Sequence, residues 1–322
     1  MVVEDMEDEE LKQLLDDYNQ EVDIHEKLDK FAHVYYYLMK IGRYEECREY
    51  ALSALEESLK IGANNSVYNI YYAVGFSYRS QGDLTNCEIY FKKALDYTEE
   101  IQSLRLMYHA YDAYASIMIY SDTKKALEYM LKALEITEHH GIVEQIETTY
   151  VNLGSVYAML EKYDEAMYYF KKALGKSKKQ QEQAIIYVNI ASLCYEIESY
   201  KMAFGYVKKA YKYFKKNNII KSIVHCLILK GKISLKKEYY TEALNYAEES
   251  ILITKQHSMQ AAYFETLILI INVYTALGDL KKAKIFIDEA TELENTIQSD
   301  DQKISLKKSL EEYKKVLTRN HS

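Results

Sequence analysis

Small side chains recur about every forty residues along most of this chain, and this spacing constrains the fold more than any other feature. Two antiparallel helices approach closely only where one carries a small residue, and a large side chain of its partner fills the groove beside it. A fixed period of this length is typical of repeat architectures. The seven positions, with spacings of 40, 39, 40, 37, 40 and 40, are Cys47, Cys87, Ala126, Ala166, Ala203, Ala243 and Ala283.

The composition indicates that the repeated unit is helical. The 322 residues include no proline and 10 glycines, too little turn chemistry for a β-sandwich or for an α/β protein with many tight loops. Apolar residues make up 48% of the chain, enough to bury a large core. We therefore expect an all-α fold whose core grows along one axis, with Gly and Asp in short turns ending one helix and capping the next.

The clearest unit, residues 150–174, reads YVNLGSVYAMLEKYDEAMYYFKKAL. It resembles the tetratricopeptide repeat at nearly every signature position, with Tyr150 where that family most often has Trp. Residues 71–95 repeat the pattern and residues 31–55 repeat it more loosely. The positions that carry the resemblance in the clearest unit are Gly154, Tyr157, Tyr163, Ala166, Phe170 and Ala173.

The resemblance implies a right-handed α-solenoid of about seven helix hairpins with N- and C-terminal capping helices. The family's usual unit has about 34 residues, so the longer spacing of this chain predicts longer helices. Similar long units occur in peptide-sensing regulators of Gram-positive bacteria and in Rap-type regulators. We expect residues 1–30 to form an acidic capping helix, with one amphipathic helix over residues 5–29, residues 31–294 the repeats and residues 295–322 a closing helix.

The first helix of each hairpin lines the concave surface in this family, and the register of Gly154 assigns residues to that surface. Asn152 and Asn189 occupy equivalent places, and an amide can pair with both the N–H and the C=O of an extended peptide. The alternative is that these amides cap or bridge helices and that the tyrosines of the set are packing residues. The candidate groove residues are Tyr36, Asn69, Tyr72, Phe76, Arg79, Asn152, Ser155, Asn189, Ser192, Tyr195, His225 and Asn272, with His33, His109, Asp112, Ser116, Lys232 and Glu265 in the same register.

No catalytic motif is present: the chain has no HExxH, no GxSxG and no Gly-rich phosphate loop. His139, His140 and Glu144 lie close together in a turn but lack a fourth ligand, so we favour an ordinary turn over a metal site. We therefore predict a protein that is not an enzyme and that needs no cofactor or metal.

Cysteine usage and the N-terminus favour a soluble cytoplasmic protein. The four cysteines are widely spaced without a CxxC pair, which indicates packing roles and a reducing compartment. The N-terminal residues lack the features of a signal peptide, and the longest apolar run, residues 34–39, is far too short to span a bilayer. The cysteines are Cys47, Cys87, Cys194 and Cys226.

Charge is distributed unevenly along the chain. Residues 1–30 hold twelve acidic residues and three lysines, whereas residues 171–237 hold sixteen lysines and three glutamates, within a net charge of −8. This separation would steer an acidic partner to the middle of the array, or dock one molecule's acidic end on another's basic centre. The reading we favour is that the lysines are solvated helix formers on the outer face. The negative net charge argues against nucleic acid.

These observations lead to one main hypothesis and two alternatives. The main hypothesis is a cytoplasmic adaptor or regulatory receptor that binds a protein or short peptide in its concave groove. The first alternative is a Rap-like regulator of response-regulator phosphorylation, and the second is a homo-oligomeric assembly scaffold. Neither a nucleic acid nor a membrane is expected as a partner.

Overall fold

The computed structural model describes residues 2–140 and 146–294, apart from the side chains of residues 2–8, 120 and 294. Over this part of the chain it contains fifteen α-helices and no strand, which confirms the prediction of an all-α solenoid of helix hairpins. The chain divides into two compact units, residues 1–149 and residues 150–322, and the division falls within α8 (Ile146–Met159).

The first unit begins with one helix and continues with three hairpins, α2/α3, α4/α5 and α6/α7; the first hairpin packs against the second through α3 and α4, and the second against the third through α5 and α6. Short connections make the two helices of each hairpin antiparallel. The helices are α1 (Val2–Gln20), α2 (Ile24–Lys40), α3 (Tyr44–Ile61), α4 (Asn64–Ser80), α5 (Leu84–Glu100), α6 (Leu104–Ser121) and α7 (Thr123–His139).

The second unit continues the same pattern from α8 onward. Its successive first helices α10, α12 and α14 also contact one another, so they share one face of the unit. The helices that follow α8 are α9 (Tyr163–Lys176), α10 (Gln180–Glu196), α11 (Tyr200–Lys216), α12 (Ile220–Lys236), α13 (Tyr240–Gln256), α14 (Gln260–Ala276) and α15 (Leu280–Glu294).

Helix length accounts for the repeat spacing. Two helices of 17 residues, such as α12 and α13, together with two connections of three residues, make a repeat of 40. The spacing falls to 37 between Ala166 and Ala203 because α9 has only 14 residues. It falls to 39 before Ala126 because Asp122 alone connects α6 and α7. The longer helices expected from the sequence are therefore present.

The first of the two N-terminal helices ends earlier than the sequence suggested. We expected one helix over residues 5–29, but α1 ends at Gln20 and α2 begins at Ile24. The break occurs at Asp23, which has extended backbone and whose carboxylate accepts hydrogen bonds from the N–H groups of His25 (2.9 Å) and Glu26 (3.1 Å). The boundary placed at residue 30 thus lies inside α2, which packs against α3. The closing helix predicted for residues 295–322 lies outside the described residues, and the division into caps and repeats stays a prediction.

Most connections between helices use the same backbone geometry. The second of their three residues has a positive φ, and the N–H of the third bonds back into the helix, as from Tyr239 to the Ser234 carbonyl (2.8 Å). Asp83, Asp122 and Asp279 then cap the following helices, as expected. The expected glycines Gly42, Gly82 and Gly278 occupy this position, and Gly62 has a positive φ in a connection of two residues. Six other connections place a residue other than glycine at this strained position: Gln102, Glu161, Glu198, Asn218, Glu238 and Ser258.

We expect Glu198→Gly and Glu238→Gly each to raise the free energy of unfolding by about 0.5–1 kcal/mol. Their φ values of 58° and 62° are left-handed, and an L side chain is strained there whereas glycine is not. Urea denaturation measures the effect. The control is Gly278→Ala at φ 70°, which should lower stability by about 1 kcal/mol; equal effects of the two types of change would contradict the strain argument.

Within each hairpin a small residue of one helix receives a large side chain of the other. The seven repeated small residues are all at most 1% exposed, as the packing argument requires. A Cβ atom on Gly154 would lie 2.6 Å from ring carbons of Phe170, and one on Gly75 would lie 2.5 Å from the ring of Phe91. These distances are too short for any side chain, so glycine permits the contact between the helices.

Gly154→Ala should lower stability by about 1 kcal/mol, because overpacking against Phe170 costs about 1–3 kcal/mol and outweighs a gain in helix propensity of about 1 kcal/mol. In a Phe170→Leu background the same change should cost less, since the smaller side chain leaves room. A double-mutant cycle by urea denaturation measures this coupling. Gly205→Ala is the matched control: it has open space around the new Cβ and should be stabilising.

Candidate binding groove

The shared face of α10, α12 and α14 contains a cavity of about 130 Å³ in the second unit. All three helices contribute to it, so its walls come from three successive hairpins. We call it the polar cavity, because charged and polar side chains surround its mouth. The residues that line it are Ser192, Tyr195, Glu196, His225, Ile228, Leu229, Lys232 and Glu265.

A second cavity of about 270 Å³ lies beside the first, and His225 lines both. We call it the apolar cavity, because Ile185, Val188 and the ring of Phe214 form much of its wall. Phe214 comes from α11, whereas the other wall residues come from α10 and α12. The remaining lining residues are Asn189, Lys221 and Ser222.

The polar cavity combines acidic and basic groups. Lys232 Nζ lies 2.6 Å from Glu265 Oε1, so the two charges form a direct ion pair between α12 and α14. Glu196 adds a second carboxylate from α10. Desolvation within the groove lowers the pKa of His225, and Lys232 lowers it further, whereas Glu265 acts in the opposite direction. The His225 ring is therefore neutral at pH 7, with one nitrogen that donates and one that accepts hydrogen bonds.

We expect an NMR titration to give His225 a pKa below its usual 6.5, since partial desolvation by the cavity walls disfavours the charged imidazolium. The pKa should fall further in Glu265→Gln, which removes the carboxylate, and rise in Lys232→Gln, which removes a like charge. Because the folded pKa is the lower one, stability from this group is present above pH 6.5 and is lost on acidification through the folded value. Unchanged values in both variants would show that neither charge faces the ring.

Several residues predicted from the sequence meet at these cavities, and others do not. Asn189, Ser192, Tyr195 and His225 line them, together with Lys232 and Glu265. Asn152 and Asn272 already have interaction partners within the protein, and Ser155 Oγ donates to the Val151 carbonyl (3.1 Å). Of the two asparagines that were expected to pair with a peptide backbone, Asn152 therefore already interacts with another part of the protein.

The residues that sequence reasoning missed are mainly apolar. Ile185 lies four residues before Asn189, and Lys221 lies four before His225, so helical periodicity extended by one turn would have found both. Phe214 gave no such signal, because it belongs to a second helix and reaches the cavity only through the packing of α11 against α10 and α12.

The corresponding positions of the first unit form an aromatic surface. Tyr36, Tyr72 and Phe76 are 72%, 38% and 40% exposed, and the rings of Tyr72 and Phe76 stack at 6.3 Å. Tyr72 also stacks on the buried ring of Phe91 (5.1 Å), so it is partly a packing residue. Arg79 Nη1 lies 3.5 Å from Ser116 Oγ, and Asn69 is exposed.

The four cysteines are all reduced and buried. Burial raises the thiol pKa of Cys47 and Cys226 to about 12 and that of Cys87 to about 11, and raises that of Cys194 as well. Since the thiolate is the reactive form, these groups act as small apolar packing residues.

The remaining sequence features concern metal binding and membrane insertion. Among residues 2–140 and 146–294, no group of three or more His, Cys, Asp or Glu side chains could hold a metal ion. The possible set of His139, His140 and Glu144 extends beyond these ranges, because Glu144 is not described. In the same two ranges no helix is both long enough and apolar enough to cross a membrane.

Family models of the tetratricopeptide repeat match three segments of the chain, residues 68–101, 145–216 and 262–297. No curated protein matches the chain in sequence. The fold and these matches define an all-α repeat protein built from helix hairpins. The chain contains tetratricopeptide repeats in these segments, and its fold is similar to that of Rap-type regulators.

Three solved structures illustrate the likeness of fold. The apo form of the quorum sensor NprR from B. thuringiensis has 16% identity and a TM-score of 0.68, covering 89% of this chain and 81% of NprR. A Rap protein complexed with competence and sporulation factor has 14% identity and a TM-score of 0.59, covering 98% and 99%. A signal transduction ATPase with a tetratricopeptide repeat sensor from Pyrococcus horikoshii has 21% identity and a TM-score of 0.64, covering 91% of this chain and 46% of that one, so this chain spans about half its length.

Proposed function

We propose that the chain is a cytoplasmic regulatory receptor or adaptor that binds an extended peptide, free or as the tail of a partner protein, on the shared face of α10, α12 and α14. The observation that carries the proposal is the pair of adjoining cavities that meet at His225. One cavity is mainly apolar and the other is charged, so together they offer two different side-chain sites next to each other. Small-molecule and peptide sites typically combine apolar walls with a few placed polar groups in this way.

The apolar cavity suits a large hydrophobic side chain of the peptide. Ile185, Val188 and Phe214 supply apolar walls, and burying a side chain such as Leu or Phe there would contribute about 1.5–3 kcal/mol. The amide of Asn189 stands on the same wall, where it can pair with a peptide N–H and C=O of the ligand backbone. The apolar cavity and Asn189 would therefore recognise a side chain and the adjoining backbone of the peptide together.

The polar cavity suits a charged or strongly polar side chain. Glu196 and the ion pair of Lys232 and Glu265 give it two carboxylates and one ammonium group. In an extended peptide alternate side chains point to the same side, about 6.6 Å apart. A hydrophobic residue in the apolar cavity would therefore place the next residue but one toward the polar cavity.

Binding at this place would tie three successive hairpins together. Each hairpin of a solenoid contacts mainly its neighbours, so small changes of angle between hairpins cost little. A peptide that contacts α10, α12 and α14 would favour one arrangement of these helices over others, which is the basis of a ligand-dependent signal. The structures similar in fold include a quorum sensor and a Rap protein complexed with competence and sporulation factor, which supports a sensing role.

Other classes of function are less well supported. The absence of a catalytic motif favours binding over catalysis, and the buried reduced thiols favour a reducing compartment such as the cytoplasm. The Rap-like alternative is tested by phosphate release from a phosphorylated receiver domain, which we expect the chain not to accelerate. No nucleic acid, membrane or cofactor is proposed.

The test is selection from a displayed library of random short peptides against the purified chain, followed by calorimetry with the selected peptides. We expect Asn189→Ala with His225→Ala to weaken binding at least about tenfold, because the peptide would cover both groups and each loss of a hydrogen-bonding group from a covered site costs about 1–3 kcal/mol. The matched control is Asn245→Ala with His257→Ala, which removes the same two side-chain types from exposed positions of α13 and the connection after it and should leave the affinity unchanged.

Two results would contradict the assignment. The first is binding that survives Asn189→Ala with His225→Ala but is lost in Tyr72→Ala with Phe76→Ala, which would move the site to the first unit. The second is a selected set of peptides without any shared hydrophobic position, since the apolar cavity predicts one. Circular dichroism of each variant verifies that its helical content is retained.

A further inference from the structure

Helix α11 carries an unpaired stripe of lysines on its outer surface. Lys201, Lys208, Lys212 and Lys216 are all exposed, and their spacings of seven, four and four residues place them on one face of the helix. No described residue forms an ion pair with any of the four. The helix has no acidic residue of its own.

The other two lysines of α11 have partners within the protein. Lys209 lies over the rings of Tyr187 and Tyr206, at 5.4 Å in each case, and Lys215 lies 3.4 Å from Glu249. Three lysines on the second helices of the first unit instead pair with an acidic residue one turn away, at 2.6–3.2 Å: Lys60 with Glu56, Lys92 with Asp96 and Lys132 with Glu128. The four lysines of the stripe have neither an aromatic ring nor an acidic residue as a partner. If they were only solvated helix formers, their position together on one face of α11 would be unexplained.

Helix α1 carries the opposite charge in a matching arrangement. Leu11 and Tyr18 anchor it in the core at 3% and 4% exposure. Glu9, Glu10, Asp16 and Asp17 are exposed, and Glu9 and Asp16 are seven residues apart, as are Lys201 and Lys208.

We propose that two copies of this chain associate by docking the acidic face of α1 of one copy on the lysine stripe of α11 of the other. The helix α1 has eight acidic residues and one lysine, and α11 has six lysines and no acid. The described acidic residues of α1 span residues 9–17, or about 12 Å of helix, and the stripe spans residues 201–216, or about 22 Å, so the stripe is long enough to cover this acidic face. The proposal is independent of the groove and goes beyond the proposed function.

A second copy fits the stripe better than another polyanion does. The chain has a net charge of −8, so a nucleic acid or an anionic membrane near the stripe would be repelled by the rest of the molecule. A second copy carries the same net charge, but it presents only one acidic helix to the stripe, and its own lysine stripe offsets part of the repulsion. If α1 of each copy docks on α11 of the other, a closed dimer with two-fold symmetry results. If only one such contact forms between two copies, the free α1 and α11 can bind further copies.

Light scattering of the full chain at low salt should give at least twice the mass of one chain. The mass should fall to that of one chain at about 1 M salt, where the Debye length is about 3 Å. Replacing Lys201, Lys208, Lys212 and Lys216 by Glu should give a monomer at low salt, and so should replacing Glu9, Glu10, Asp16 and Asp17 by Lys. Mixing these two charge-reversed proteins should restore association, because each acidic surface then meets a basic one.

The matched control is Lys281→Glu with Lys284→Glu, two exposed lysines of α15, which should leave the mass unchanged. Lys→Gln at the four stripe positions provides a milder variant, with helical content verified by circular dichroism. A wild-type chain that stays monomeric at low salt would overturn the proposal, as would a mixture of the two reversed proteins that stays monomeric. Loss of binding to a DNA duplex or to vesicles containing phosphatidylserine, with the mass of the chain unchanged, would assign the stripe to a polyanion instead.

Discussion

The close approach of two helices within each hairpin is the contact on which the rest of the structure depends. Where Phe170 packs against Gly154, and Phe91 against Gly75, no side chain would fit in place of the glycine. The seven small residues at the start of the second helices are likewise buried to within 1%. This packing fixes the rotation of each helix about its axis, and therefore decides which residues face the core, the groove and the outer surface.

With that rotation fixed, the two outward faces of the helices carry different chemistry. In the second unit the face shared by α10, α12 and α14 has two cavities around a neutral His225, bordered by the ion pair of Lys232 and Glu265. The outer face of α11 carries a stripe of lysines. Uncharged and paired groups suit a site that selects a ligand by shape and hydrogen bonds, whereas unpaired like charges suit long-range attraction of an oppositely charged surface.

Cation–π contacts between lysine and tyrosine side chains also hold the helices of this solenoid together. Lys230 is 9% exposed and lies 4.0 Å from the ring centre of Tyr246 and 4.4 Å from that of Tyr211, so one ammonium group joins α11, α12 and α13. Desolvation lowers the pKa of this lysine, and the two aromatic faces offset part of that cost. A repeat family that usually has a tryptophan at the first position of its signature here has Tyr150, whose ring lies under Lys172 (4.8 Å).

The sequence by itself determined the all-α class and the seven hairpins, because the periodic spacing of small residues shows which helices must pack closely against each other. It also placed Asn189, Ser192, Tyr195 and His225 on one face, since helical periodicity is a local property. Only the tertiary structure decided that Phe214 of α11 closes the apolar cavity, that Asn152 is already engaged and that Lys209 lies over tyrosine rings while Lys208 does not. These outcomes depend on contacts between residues far apart in the chain, whose distances follow from packing and not from spacing along one helix.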